Sequence, residues 1–233
     1  MECAHVQIGG RRGRNGCFQG EAQTPVGIEG LAMALSVVPG KQQAKSQRAR
    51  DLICDAAIDL LVTQGYSDTS LNRVAAMAGF SKGALQHHYP SKEDLIAATL
   101  NKLLARPFLP QRGKPECVED ALLQAWSKYI NTPAYRAVLE ILNAARTDAL
   151  LHARISAELL EWGRALDAQS LEQYAALSGD DEEVVMLLNM TRSFMRGLLI
   201  QERYGGDGMK RLKYVKKWIA LVAPRLALRE GPE

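Results

Sequence analysis

The sequence predicts an all-α chain in two parts: an N-terminal three-helix unit built around a helix-turn-helix, and a C-terminal helical unit. Three observations predict this. Apolar residues recur at three- and four-residue steps from Ser46 to Leu226, and nothing alternates as a strand would. Between Thr69 and Leu95 two short helical patterns flank a glycine. Pro107, Pro110, Gly113 and Pro115 then interrupt the chain and mark a junction. The expected division is 1–44, 45–105 and 106–233.

Residues 1–44 carry eight glycines and no apolar period. Such a segment cannot bury enough apolar surface to offset its ordering entropy, so a disordered basic extension is expected. Two readings stay open there. Arg11, Arg12 and Arg14 form a basic arm for a DNA groove, or the segment is a solvated tail or an over-long start with Met33 as initiator.

From Ser46 to Gln64 an amphipathic helix places Ile53, Ala56, Ala57, Leu60 and Leu61 on one face, and Gly65 ends it. Thr69 or Ser70 opens the second helix, where Leu71, Val74, Ala75 and Ala78 share a face. Gly79 stops it, since glycine accepts the left-handed conformation. Ser81 caps a third helix of about two turns, which Pro90 closes by disfavouring helical geometry at Tyr89. Ser91 caps a fourth, Lys92 to Ala105, with Asp94 completing an acidic capping box.

Beyond the junction the pattern predicts helices over Glu116–Asn131, Pro133–Thr147 and Asp148–Leu177. In the next helix Asp180, Asp181, Glu182 and Glu183 suit the positive end of the dipole. Its seam is Val184, Leu188, Thr191, Met195 and Leu198, and Gly205-Gly206 ends it. The final helix carries Leu212, Val215, Ile219, Val222 and Leu226. These near-heptad seams suit helix-on-helix packing. Two such apolar helices are too apolar for one exposed layer, so these residues, through Val222, are expected at a homodimer interface forming a four-helix bundle.

A helix-turn-helix lays its second helix in the major groove with its N-terminal residues at base edges. Here that helix is Lys82 to His88. Lys82 suits guanine or phosphate, and Gly83 admits close backbone approach. Gln86 suits a bidentate pair with adenine, and His87 suits the backbone or a base. Lys45 and Arg48 adjoin the first helix and suit a phosphate backbone.

Gly79-Phe80-Ser81-Lys82-Gly83-Ala84-Leu85, followed by His88-Tyr89-Pro90-Ser91-Lys92-Glu93-Asp94-Leu95, resembles the signature of the tetracycline-repressor (TetR) family. Ala56-Ala57 and Gly65 to Ser70 resemble that family's first helix and exit turn. The resemblance covers about residues 46–96. It implies a DNA-binding domain over 45–105 and a helical effector-binding and dimerisation domain over 106–233. Thr69, Ser70, Ser81, His88 and Lys92 match positions that hold phosphates in the family. Gln86 stands where the family commonly has Tyr. An effector pocket is likewise implied, and its candidates are Trp126, Tyr129, Asn143, Arg146, Trp162, Met190 and Phe194.

The function so implied is a ligand-responsive regulator, a repressor, that binds a palindromic double-stranded DNA operator as a dimer and releases it on binding a small-molecule effector. The alternative is an effector-independent DNA-binding regulator controlled by a protein partner. No enzyme is expected, because no Gly-rich phosphate loop, nucleophile elbow or carboxylate-histidine constellation is present. No cofactor or metal is expected either: His87 and His88 point about 100° apart on a helix. The net charge of +3 is too small to select a partner by itself. Cys3, Cys17, Cys54 and Cys117 lack C-x-x-C spacing, which fits reduced thiols in a cytoplasm. No apolar run approaches the roughly 20 residues of a membrane span. Arg11-Arg12 before Leu31–Val38 only faintly imitates a twin-arginine signal, since Glu29 interrupts the approach.

Overall fold

A computed structural model describes residues 41–105, 115–204 and 207–229. The expectations for 1–40, for Pro107, Pro110 and Gly113, and for the Gly205-Gly206 stop lie outside these residues.

Helix α1 (Lys41–Asp68) starts ahead of Ser46, so residues 41–44, assigned by pattern to the extension, are helical. Its backbone leaves helical geometry at Gly65, with φ 82° and ψ 176°. A Cβ there would sit 3.3 Å from the Glu140 carboxylate, so both conformation and space favour glycine. Helix α2 (Leu71–Ala78) begins at Ser70, whose Oγ accepts from the Arg73 N–H at 3.4 Å, and stops at Gly79 with φ 75°. Helix α3 (Lys82–His88) is capped by Ser81, which accepts from the Ala84 N–H at 3.2 Å. Helix α4 (Lys92–Leu104) opens on the expected box: Ser91 Oγ accepts from the Asp94 N–H at 3.0 Å and donates to the Asp94 carboxylate at 2.8 Å.

The predicted Glu116–Asn131 helix is two segments. Helix α5 (Val118–Gln124) runs into a π-helical turn over Ala125–Ile130. The wider turn changes the angular spacing of its side chains, and both Trp126 and Ile130 end up buried. Helices α6 (Pro133–Ala145) and α7 (Ala149–Gln173) follow, then α8 (Asp181–Ile200), a 3₁₀ turn (Gln201–Tyr204) and α9 (Gly208–Val222).

Two corrections concern chain ends of helices. The α7 pattern predicted helix to Leu177, but β1 (Tyr174–Ala176) is extended and pairs antiparallel with β2 (Leu226–Leu228), Tyr174 opposite Leu228. Leu226 therefore belongs to a strand and not to the last helix. A 3₁₀ turn, Ala223–Arg225, carries Pro224 between them and breaks the helical ladder. The architecture remains all-α, with one short ribbon fastening the end of α7 to the segment after α9.

Three apolar clusters hold the described chain together. The first joins Ile53, Ala57 and Leu60 of α1 to Val74, Ala75, Leu85, Tyr89 and Leu95. The second joins Ile58 and Leu61, on another side of α1, to Ile96 and Leu100 of α4, Val138 and Ile141 of α6, and Leu151 and Ile155 of α7. The third gathers α5, the π turn, α8, α9 and the ribbon.

That third cluster corrects the expected dimer seam. Val184, Leu188, Thr191, Met195, Leu198, Val215, Ile219 and Val222 are all buried inside this one chain, and half-buried Leu212 packs on them. Surface already removed from water by the chain itself contributes nothing further to association. A different stripe of α8 faces outward: Met186, Met190 and Ile200 are each about half exposed, with exposed Ser193 between them. On α9, Tyr214 and Leu221 are exposed.

Candidate nucleic-acid interface and internal cavity

The reading helix is fixed from beneath. Leu85 is fully buried in the first cluster, as are Val74 and Ala75 of the preceding helix. The turn is closed by the Phe80 N–H donating to the Ala75 carbonyl at 2.9 Å. Tyr89 is buried, with its hydroxyl 3.4 Å from Cys54 Sγ, which ties the end of α3 to α1. With Leu85 inward, Lys82, Gly83, Gln86 and His87 are exposed together, and His88 is half-buried. Partial burial, and to a lesser degree His87 and Arg50, hold the His88 imidazole below its usual range, toward the neutral form. His87 and His88 rings meet edge-on at 5.6 Å.

The predicted phosphate ligands divide by geometry. Lys45 and Arg48 are exposed on the first turns of α1. Ser70 and Ser81 cap helices, so their Oγ atoms are engaged as acceptors while their hydroxyl protons stay available to an anion. Thr69 is 1% exposed and donates to the Gly65 carbonyl at 2.8 Å, a bond that closes the α1–α2 turn and turns the side chain away from solvent. Lys92 Nζ donates to the Tyr66 carbonyl at 2.7 Å and lies 3.8 Å over the Tyr66 ring. Its burial lowers its pKa, opposed by the nearby Glu93 and Asp148 carboxylates.

Lys92 thereby belongs to a polar link that the sequence did not reveal. The Tyr66 hydroxyl donates to Asp148 Oδ2 at 2.9 Å, while Asp148 Oδ1 caps α7 by accepting from the Leu151 N–H at 2.9 Å. Arg154 of α7 pairs with Asp94 of α4. Residues of the helix-turn-helix and of the α6–α7 corner are joined at these points, 82 and 60 positions apart in sequence.

A cavity of about 90 Å³ lies among the π turn, α6, α7 and α8. Of the seven predicted pocket residues, Tyr129 and Trp162 line it. Trp126 is buried core, and Phe194 stacks on Trp218 with ring centres 4.8 Å apart. Asn143 borders a separate open cleft beside Tyr66 and Asp148, and Arg146 and Met190 are exposed, so none of these three reaches the cavity. Pattern reading missed Tyr135, Ser170, Tyr174, Arg192 and Arg196, which do. The available signal was Arg192 and Arg196, one turn apart and each one position after a seam residue, Thr191 and Met195. Arg192 donates to Asp167 at 3.0 Å, Ser170 at 3.2 Å and Asn189 at 2.9 Å. Burial depresses the Arg192 pKa, and burial raises the Tyr174 phenol to about 12, so Tyr174 stays neutral. Among the described residues no three His, Cys, Asp or Glu side chains gather where they would hold a metal ion, and no helix is long and apolar enough to cross a membrane.

A polar-faced helix held over a buried leucine, behind a glycine turn, defines a helix-turn-helix protein. The comparisons agree. The family described as "Bacterial regulatory proteins, tetR family" matches residues 53–99. The HTH-type transcriptional regulator TtgW of Pseudomonas putida is 30% identical over 120 residues, covering 49% of this chain and 89% of that one. The HTH-type transcriptional regulator SrpR of Pseudomonas putida is 31% identical over 120 residues, covering 49% of this chain and 56% of SrpR, so the match spans little more than half of that relative. In fold the chain is similar to a transcriptional regulator of Saccharomonospora viridis solved with choline, with a TM-score of 0.57, 16% identity and coverage of 79% and 100%. It is also similar to NalD of Pseudomonas aeruginosa, a repressor of a multidrug efflux pump, with a TM-score of 0.53, 17% identity and coverage of 81% and 100%. The chain belongs to the TetR family of transcriptional regulators.

Proposed function

We propose that this regulator is a repressor that binds a palindromic DNA operator as a homodimer in the cytoplasm, does no catalysis, and leaves DNA when a small effector enters its C-terminal half. The observation that carries the reading is the exposed face of α3. Lys82, Gly83, Gln86 and His87 stand out over buried Leu85. Phosphate contacts then come from Lys45, Arg48, Ser70, Ser81 and Lys82 around that face, and the base contact from Gln86. The working division is a DNA-binding domain over 45–105 and an effector and dimer domain over 106–233.

Dimerisation uses the outer stripe of α8 and α9, with Met186, Met190, Ile200, Tyr214 and Leu221 against their copies. Two reading helices then stand about one DNA turn, ~34 Å, apart. The internal cavity favours effector control over control by a protein partner, and the choline found with a structural neighbour supports a ligand in this fold. An effector acts only through different affinities for the DNA-bound and free states. The link through Tyr66, Lys92 and Asp148 offers the two halves a shared contact to bias.

Selection of bound sites from a random DNA pool, followed by salt titration of the winner, tests the reading. A palindromic site with affinity falling steeply in salt is expected. A pool with no enriched motif overturns it.

A further inference from the structure

We infer that the effector is a flat, single-ring organic acid whose carboxylate is held by Arg196. This rests on the reading of the chain as an effector-controlled regulator and names the chemical class of that effector. The lining of the cavity includes two arginines and no carboxylate. The two arginines are not equivalent. Arg192 is matched by Asp167 just outside the lining, and the half-buried Arg136 and Arg211 share Glu202. Among the described residues no carboxylate lies within ion-pair distance of Arg196.

Arg196 is nonetheless positioned. Its Nε donates to the Tyr135 hydroxyl at 2.6 Å, and its guanidinium lies 6.0 Å from the Tyr135 ring centre and 5.9 Å from that of Trp162. One edge of the planar fork is thus used, and its outer nitrogens keep donor capacity for a bidentate carboxylate. The two guanidinium groups are also close enough to repel each other. A bound anion relieves that repulsion, and a cation adds to it. Tyr129, Trp162, Leu166 and Met195 give the wall aromatic and apolar surface, and Gln169, Gln173, Ser170 and Thr191 add neutral polar groups. A volume of about 90 Å³ suits an occupant of about one ring. The charge balance excludes the cation class to which choline belongs.

The test uses the full chain and four probes: benzoate, 4-hydroxybenzoate, benzamide and choline. Binding is read by quenching of Trp fluorescence and by calorimetry. The acids are expected to bind at least about tenfold more tightly than benzamide or choline. Arg196→Met should remove that tenfold preference, Arg196→Lys should restore part of it, and Asp167→Asn, by freeing Arg192, should strengthen acid binding several-fold. Far-UV circular dichroism and the thermal midpoint of each variant separate loss of the site from loss of the fold. Equal binding of acid and amide, tighter binding of choline, or no binding of any probe by folded protein overturns the assignment. DNA selection is measured separately. A protein that binds its operator but shows no acid preference sinks only the effector class. Acid binding without any operator sinks the regulatory reading instead.

Discussion

Helices α3 and α8 each bury one stripe and expose another, and the exposed stripes differ. On α3 the buried side is Leu85 alone, and the outer side is Lys82, Gln86 and His87. On α8 the buried side holds Val184, Leu187, Leu188, Thr191, Met195, Leu198 and Leu199, and the outer side still shows Met186, Met190 and Ile200. A polar outer stripe suits a hydrated, charged partner such as DNA. An apolar outer stripe suits a protein surface. The inner stripe of either helix says only that the chain has a core. The lesson is that partner residues are read from the second stripe, after the chain's own packing has claimed the first.

The largest effect that sharpens this contrast is on folding. Ile219→Ala removes a buried side chain of the inner seam and should cost about 2–5 kcal/mol in urea unfolding. The dimerisation constant of the remaining folded protein should not change. A loss of dimer affinity with unchanged stability breaks the distinction between the stripes.

Met190→Glu works on the outer stripe. It should weaken self-association by about 3 kcal/mol, on the order of 100-fold, because a carboxylate enters an apolar contact. Sedimentation velocity over a concentration series reads this, and the unfolding midpoint of the monomer should stay within about 0.5 kcal/mol of the parent. A dimer that survives the change moves the interface elsewhere.

On α3 the contrast is between side chains that read, hold or support. Gln86→Ala should alter preference at one base position by about 1–3 kcal/mol. Lys82→Ala should weaken all sequences and lower the salt slope by about one. Lys92→Ala should do neither directly. It should instead cost about 1–2 kcal/mol of stability, because its ammonium is engaged by the Tyr66 carbonyl and ring. Site selection with each variant, beside urea unfolding, tells the three apart. A salt slope that falls for Lys92→Ala assigns it to the phosphates after all.

The smallest effect is in acid. The Asp148 carboxyl is held below its ordinary value chiefly by the Leu151 N–H and then by Tyr66, and that of Asp94 chiefly by Ser91 and then by Arg154. A carboxylate whose folded pKa is depressed contributes stability that is present above about pH 4 and is lost as pH falls through the folded value. Asp148→Asn should therefore flatten the acid limb of stability against pH below about pH 4 and leave neutral-pH site selection unchanged. An acid limb that keeps its slope means that Tyr66 and Leu151 do not hold the charged form.

How far residues could be read in advance follows the range of the forces that place them. Ser70, Ser81 and Ser91 cap helices because a side-chain oxygen meets an N–H three residues on, and Gly79 turns because of its own backbone. The carboxylate of Asp94 returns to Ser91 over the same three residues. Interactions of that range are written in the local sequence, and so was the family signature built on them. Tyr129 and Trp162 line the cavity, and Asn143, Arg146 and Met190, which do not, were not separable from them by pattern, since a helical period gives a face and not its neighbour.

By itself the sequence determined the helical class, the helix-turn-helix with its caps and glycine turn, and which side chains of α3 face outward. Each of these rests on contacts within a few residues or on a 3.6-residue period. The tertiary structure decided the rest. It turned the expected dimer seam into the chain's own core and paired Tyr174–Ala176 with Leu226–Leu228. It engaged Lys92 with Tyr66 and left Arg196 facing a cavity without a carboxylate beside it. Those outcomes depend on which distant segment packs against which face, and side chains 26 to 82 positions apart meet only once the helices are assembled.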